Sequence, residues 1–126
     1  MLEVEVTLDR QRILRYDWPA FAAMDRTFRA SYGRSTVQLI RDVGESIRED
    51  FDILQTLVWG GLRHRDRKLT PDDVGLLLSA YATKGGDSDE LWGKVIEAFN
   101  GSGLFKTPEN GGPPADPTPA ATEPPG

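Results

Sequence analysis

The stretch 57–74 constrains the fold most, because it ends one buried helix and begins the next. Apolar residues up to Leu62 are followed by basic residues as far as Arg65, and positive charge is favoured at a helix C-terminus. Thr70 then has the hydroxyl of an N-cap residue, and Pro71 suits the first helical position. The pattern predicts two consecutive helices joined by a short charged turn.

The N-terminal residues predict a β-hairpin. Residues 2–8 alternate between apolar and polar side chains, which is the period of a half-buried strand. Residues 9–11 are typical of a turn, and residues 12–16 can return as a second strand. Because a two-stranded hairpin is marginally stable by itself, we expect a helix to cover its apolar face.

Five amphipathic segments with helix-start signals follow the hairpin. The expected N-caps are Asp17, Ser35, Asp50, Thr70 and either Asp87 or Ser88. The second segment reads as one apolar stripe that reaches Ile47. The third is expected to be the central helix, because it has the densest apolar face, formed by Phe51, Leu54, Leu57, Val58 and Leu62. The predicted class is α+β, mainly helical, with an N-terminal hairpin and about five short packed helices.

The composition changes sharply near residue 108. From there to residue 126 the chain has seven prolines, no aromatic residue and no basic residue. Such a segment cannot bury enough apolar surface to offset its ordering entropy. We therefore expect one globular domain over residues 1–107 and a disordered, acidic, proline-rich tail over residues 108–126.

Charge and cysteine content narrow the functional classes. The net charge is −5 and the basic residues are scattered, which argues against nucleic-acid binding. The chain has no cysteine, so a reducing compartment is the simplest expectation. The N-terminal segment lacks a signal peptide, and no long apolar run is present, so we expect no membrane partner.

No residue constellation indicates catalysis. His64 is the only histidine, and its place near a helix C-terminus favours a capping or solvated role. The acidic clusters at Asp72–Asp73 and at Asp87, Asp89 and Glu90 fall at helix starts, where acids are expected from the helix dipole alone. The glycine pairs Gly60–Gly61 and Gly85–Gly86 lack phosphate-loop context and are expected to end helices. We predict no enzyme activity, no cofactor and no metal.

Aromatic residues are the remaining candidates for a binding role. Trp18, Trp59 and Trp92 lie on or near apolar stripes, and the simpler expectation is that all three belong to the core. Tyrosine and tryptophan with one exposed edge are also common interface anchors. We expect either Trp92 or Tyr81 to be partly exposed. The candidate partner-binding residues are Trp92, Tyr81, Trp59 and Phe99.

The order of these pieces resembles the small tail-assembly chaperones of long-tailed phages, in particular the class in gene transfer agents and related siphophages. The likeness covers about residues 3–104, and the segment after Phe105 has no counterpart in the pattern. Its parts are the N-terminal strand pair, Tyr16-Asp17-Trp18, Trp59-Gly60-Gly61-Leu62, His64-x-Asp66, Leu69-Thr70-Pro71 and Leu91-Trp92.

The resemblance implies a chaperone that binds the tape-measure protein in the host cytoplasm and helps to recruit tail-tube subunits. Self-association is a further expected interaction, and the chaperone would be missing from the mature virion. The alternative is a structural virion protein, such as a head–tail connector or tail-completion protein. Such a protein needs two complementary surfaces to form a ring, and the sequence shows no such pair.

Truncation after Thr107 tests the predicted domain end. Because the composition of residues 108–126 cannot support a core, the shortened chain should keep the thermal midpoint of the full chain. Differential scanning calorimetry of the two proteins measures this. A fall of several degrees would show that the tail packs on the domain.

Overall fold

The computed structural model describes residues 2–104, without the side chains of Glu45 and Arg48. Within this range the chain forms a hairpin, five α-helices and one 3₁₀ helix, which confirms the predicted α+β, mainly helical class. The predicted domain end at residue 107 and the predicted tail over residues 108–126 lie outside the described residues.

An antiparallel hairpin begins the fold. Strand β1 spans Val4–Thr7 and strand β2 spans Gln11–Leu14, with the first residue of β1 opposite the last residue of β2. The valines of β1 are buried and the residues between them are exposed, as the alternation predicts. Both strands are shorter than predicted. The second ends early because Arg15 donates its backbone N–H to the carbonyl oxygen of Gly61, at 2.9 Å, instead of extending the ladder.

Helix α1, Trp18–Tyr32, begins at the predicted cap. The Asp17 carboxylate accepts a hydrogen bond from the Ala20 N–H at 2.9 Å. Trp18 is 73% exposed, so the expectation that it belongs to the core is wrong. The buried face of the helix runs through Ala20 and Phe28. Since each residue turns the helix by about 100°, Trp18 lies roughly 200° from Ala20 and faces solvent.

The predicted second helix is divided into two elements. Helix α2 spans Thr36–Val43, and a 3₁₀ helix spans Gly44–Glu49. Gly44 causes the break, because its backbone has φ 62° and ψ −136°, a conformation that favours glycine. Ile47 is nevertheless fully buried, so the apolar stripe still contributes to the core after the helix type changes.

Helix α3, Phe51–Leu62, is the central helix, as its apolar density predicts. Leu57 is fully buried and Leu62 nearly so. The helix ends before the predicted Arg65. Phe51 is 85% exposed, so its assignment to the buried face is wrong. It occupies the first turn of α3, where no neighbouring element covers it.

Helices α4, Pro71–Thr83, and α5, Ser88–Gly101, complete the described fold. Thr70 caps α4 in a reciprocal capping box with Asp73, and Asp87 caps α5. Helix α5 packs against β1 and α3, whereas α4 packs mainly against α3. Helix α4 is therefore an outer helix, and only its Val74 is fully buried.

The glycine pair Gly60–Gly61 lies in the last turn of α3, which ends at Leu62 next to the predicted position, and both glycines are buried. A Cβ atom at Gly61 would lie 2.8 Å from the ring of Tyr16, and one at Gly60 would overlap Met24 of α1. The missing side chains allow α1 and the segment before it to approach the α3 backbone closely.

Tyr16 occupies the space that Gly61 leaves free. Its hydroxyl donates a hydrogen bond to the carbonyl oxygen of Leu57 at 2.6 Å, and the side chain is fully buried. Its ring meets Phe99 of α5 edge-on, with centroids 4.3 Å apart. Burial raises the pKa of the Tyr16 hydroxyl well above its usual value, which keeps it a donor. One side chain thus joins the hairpin, α3 and α5.

Replacing Gly61 with alanine tests this packing. Because the added methyl group would meet Tyr16, Gly61→Ala should lower the free energy of unfolding by about 1–3 kcal/mol, the range for overpacked cores. Gly93→Ala is the matched control, since no atom lies within 4 Å of its added Cβ. It should raise stability by up to about 1 kcal/mol through helix propensity. Urea denaturation measures both, and an unchanged Gly61→Ala midpoint would contradict the packing.

Candidate binding groove

An apolar groove separates α3 from α4 and the start of α5. Its volume is about 440 Å³, within the roughly 300–1,000 Å³ range of ligand sites in proteins. Most of its lining side chains are hydrocarbon or aromatic. They are Phe51, Leu54, Gln55, Gly75, Leu78, Ser79, Tyr81, Ala82, Gly86, Ser88 and Leu91.

Two side chains of α3 hold the N-terminal part of α4 in place. The indole N–H of Trp59 donates to the carbonyl oxygen of Leu69 at 2.9 Å, and the Gln55 amide donates to that of Pro71 at 2.8 Å. Val74, the buried residue of α4, lies just beyond these anchors. The groove follows the remainder of α4, where the helix is less deeply packed.

Tyr81 closes the groove near the turn between α4 and α5. Its hydroxyl donates to the carbonyl oxygen of Asp87 at 2.9 Å and accepts from the N–H of the same residue at 3.2 Å. Its ring lies against Gly86, where a side chain would overlap it. This contact sets the separation between the end of α4 and the start of α5.

Two of the four polar side chains that line the groove form hydrogen bonds within the protein. The amide nitrogen of Gln55 bonds to α4, and the hydroxyl of Tyr81 bonds to the backbone at Asp87. A site for a small polar substrate needs several polar groups that converge on the ligand. The lining is better suited to the apolar face of a helix, which requires shape and hydrocarbon rather than directed hydrogen bonds.

Acidic residues surround this apolar surface. Asp50 and Asp52 flank Phe51 in the chain, and Asp87 and Glu90 lie at the start of α5. Within the described part of the chain, no basic residue lines the groove or directly adjoins a residue that does. The charged residues that directly adjoin the groove lining in the chain are therefore all acidic.

Two exposed apolar side chains differ in their relation to the groove. Phe51 is 85% exposed and lines the rim, whereas Leu76 of α4 is 73% exposed and is not part of the lining. The apolar periodicity placed Phe51 on the buried face of α3, and periodicity alone does not show that this position is uncovered. Its position in the first helical turn, next to two acids, is the feature that could have indicated the exposure.

The four predicted binding residues do not form one site. Tyr81 is half-buried and lines the groove, as expected for a partly exposed tyrosine. Trp59 is half-buried, and the guanidinium of Arg63 lies 5.7 Å from its ring. Trp92 is only 6% exposed and Phe99 is fully buried, so neither offers a surface to a partner in this structure. Both face the core because the apolar ridge of α5 packs against the other elements.

A second groove, of about 330 Å³, shares Tyr81 with the first. Its other lining residues come from β1, β2 and α5 and are more polar than those of the first groove. They are Glu5, Val6, Thr7, Gln11, Glu90 and Lys94. Two acidic side chains and one basic side chain line it. It offers less apolar surface than the groove beside α3, which remains the stronger candidate.

His64 has a structural contact. Its Nε2 atom lies 3.0 Å from the carbonyl oxygen of Ile13 and links the end of α3 to β2. Among residues 2–104, no group of three or more histidine, aspartate or glutamate side chains is arranged to hold a metal ion. In the same range, every helix is too short or too polar to cross a membrane.

Substitution of two neighbouring apolar residues of α3 tests the exposure of the rim. Phe51→Ala should change the free energy of unfolding by no more than about 0.5 kcal/mol, as expected at an exposed site. Ile53→Ala should cost about 2–5 kcal/mol, because Ile53 is only 2% exposed. Chemical denaturation measures both. A large loss for Phe51→Ala would show that the ring is part of the core.

Comparisons with family models, with curated proteins and with solved structures gave no match to this chain. The basis for inferring a function is therefore the order of residues along the chain and the groove that the fold forms. The groove combines an apolar lining, an exposed phenylalanine and an acidic rim.

Proposed function

We propose that the protein is a tail-assembly chaperone of a long-tailed phage or gene transfer agent. In this proposal it binds an amphipathic helical segment of the tape-measure protein and keeps that protein soluble until the tail is assembled. The observation that carries the proposal is the open, mainly apolar groove between α3, α4 and α5, in which the Gln55 amide and the Tyr81 hydroxyl are engaged within the protein.

The groove supports this function through its chemistry. A helix laid in a groove is recognised by apolar side chains spaced three and four residues apart, which need an apolar surface with depth. Leu78 and Tyr81 of α4 offer that surface because both are only partly buried, whereas Leu54 and Leu91, which also line the groove, are buried. Phe51 at the rim adds an aromatic side chain that a bound helix would cover. Exposed aromatic groups of this kind are frequent anchors in protein interfaces.

The charge of the protein supports the same role. A chaperone that covers apolar helices must remain soluble while its own apolar surface is free, and a net charge of −5 favours this. The tail-tube protein would be recruited by a different surface, since the groove would be filled by the tape-measure segment. The host cytoplasm is the compartment where the complex would form.

Co-expression with the tape-measure protein of the same genome tests the proposal. The chaperone should raise the soluble fraction of that protein, because covered helical segments no longer self-associate. Phe51→Ser should reduce the effect at least severalfold. Leu76→Ser is the matched control: it also removes an exposed apolar side chain, but outside the groove, and should keep the effect.

Two results would contradict the proposal. The first is a tape-measure protein that stays insoluble with the wild-type chain, provided that the chain itself is folded. The second comes from mass spectrometry of purified particles. Stoichiometric amounts of the protein there, together with stable rings of the isolated protein, would replace the chaperone with a structural virion component.

A further inference from the structure

The residues that line the apolar groove are uncharged, but several residues next to them in the chain are acidic. No carboxylate lines the groove, but Asp50 directly precedes the rim residue Phe51 in the chain, and Asp87 and Glu90 each directly precede a lining residue of α5. The nearest lysines in the chain, Lys84 and Lys94, do not line it. A partner in the groove would therefore have its apolar face on hydrocarbon and its edges near carboxylates.

Tyr81, which lines the groove, lies near two of these acids. Near α5, burial and then the charges of Glu90 and Asp87 raise the pKa of Tyr81, against the opposing effect of its hydrogen bond at Asp87. The hydrogen bond to Asp52, followed by burial and the charges of Asp52 and Asp50, raises the pKa of Tyr32 of α1, which does not line the groove, to about 12. The acids at the start of α5 therefore act on a residue that lines the groove.

These acids also have a local role in folding. The Asp50 carboxylate accepts the N–H of Ile53, and that of Asp87 accepts the N–H of Asp89, so both are N-caps. Asparagine caps a helix about as well as aspartate does, so capping by itself does not require the charge. The charge can therefore be removed while the caps are retained, which allows its effect on binding to be measured separately.

From these observations we infer that the groove selects amphipathic helices whose apolar stripe is flanked by lysine or arginine, and that it discriminates against acidic helices with the same stripe. The inference rests on the proposed function, since it names the class of segment that the chaperone would bind. Complementary charges at the rim set specificity and association rate, while the apolar stripe supplies most of the affinity.

Two fluorescein-labelled peptides of 18 residues provide the test. Both carry the same leucine and alanine stripe at helical spacing, and the flanking positions are lysine in one and glutamate in the other. In fluorescence anisotropy at low salt, the lysine peptide should bind the full-length protein about tenfold more tightly, as several rim ion pairs would give. At 1 M salt, where charges are screened beyond about 3 Å, the difference should largely disappear.

Variants of the protein locate the effect. The triple variant Asp50→Asn, Asp87→Asn, Glu90→Gln removes three rim charges and keeps both caps. It should lose most of the preference for the lysine peptide. The control Asp42→Asn, Asp72→Asn, Glu97→Gln also removes three negative charges, so both triple variants change the net charge from −5 to −2. The control should retain the preference.

Several outcomes would overturn the inference. Equal binding of the two peptides, or binding of neither, contradicts it, and so does loss of preference in both triple variants. Dimerisation that Phe51→Ser abolishes would show that a second copy fills the groove. The proposed function is judged separately by co-expression. Solubilisation of the tape-measure protein with no charge preference would retain the chaperone and remove only the inference.

Discussion

The close approach of Tyr16 to the backbone of α3 is the constraint on which the remaining structure depends. The approach requires a glycine at position 61, because any side chain there would meet the tyrosine ring. The hydroxyl of Tyr16 bonds to the carbonyl oxygen of Leu57, and its ring packs on Phe99 of α5. The hairpin, which is too small to be stable alone, is thereby attached to the central helix.

This attachment also determines which side of α3 remains for α4. Leu57 and Gly61 are one helical turn apart and meet Tyr16, whereas Gln55 and Trp59 are one turn apart and bind the N-terminal part of α4. The two pairs differ by two residues, about 200° around the helix. Helix α4 packs mainly on α3 and buries only Val74 fully, and the groove lies along its less deeply packed part.

The groove combines exposed apolar surface with acidic residues beside it. Exposed apolar surface promotes aggregation, and a contiguous patch on a soluble domain normally indicates a binding site. Around this groove the acids at the starts of α3 and α5 supply repulsion between copies of the protein and also complete the helix ends. The same residues can therefore contribute to folding, to solubility and to the proposed choice of partner.

The sequence by itself determined the element order, because caps and hydrophobic periods are local signals. Asp17, Ser35, Asp50, Thr70 and Asp87 all cap helices as predicted. Only the tertiary structure decided which apolar residues are covered. It exposed Trp18 and Phe51, buried Trp92, and placed Gly60–Gly61 within α3. Exposure depends on neighbours distant in the chain, and periodicity within one helix cannot specify which of its apolar positions those neighbours reach.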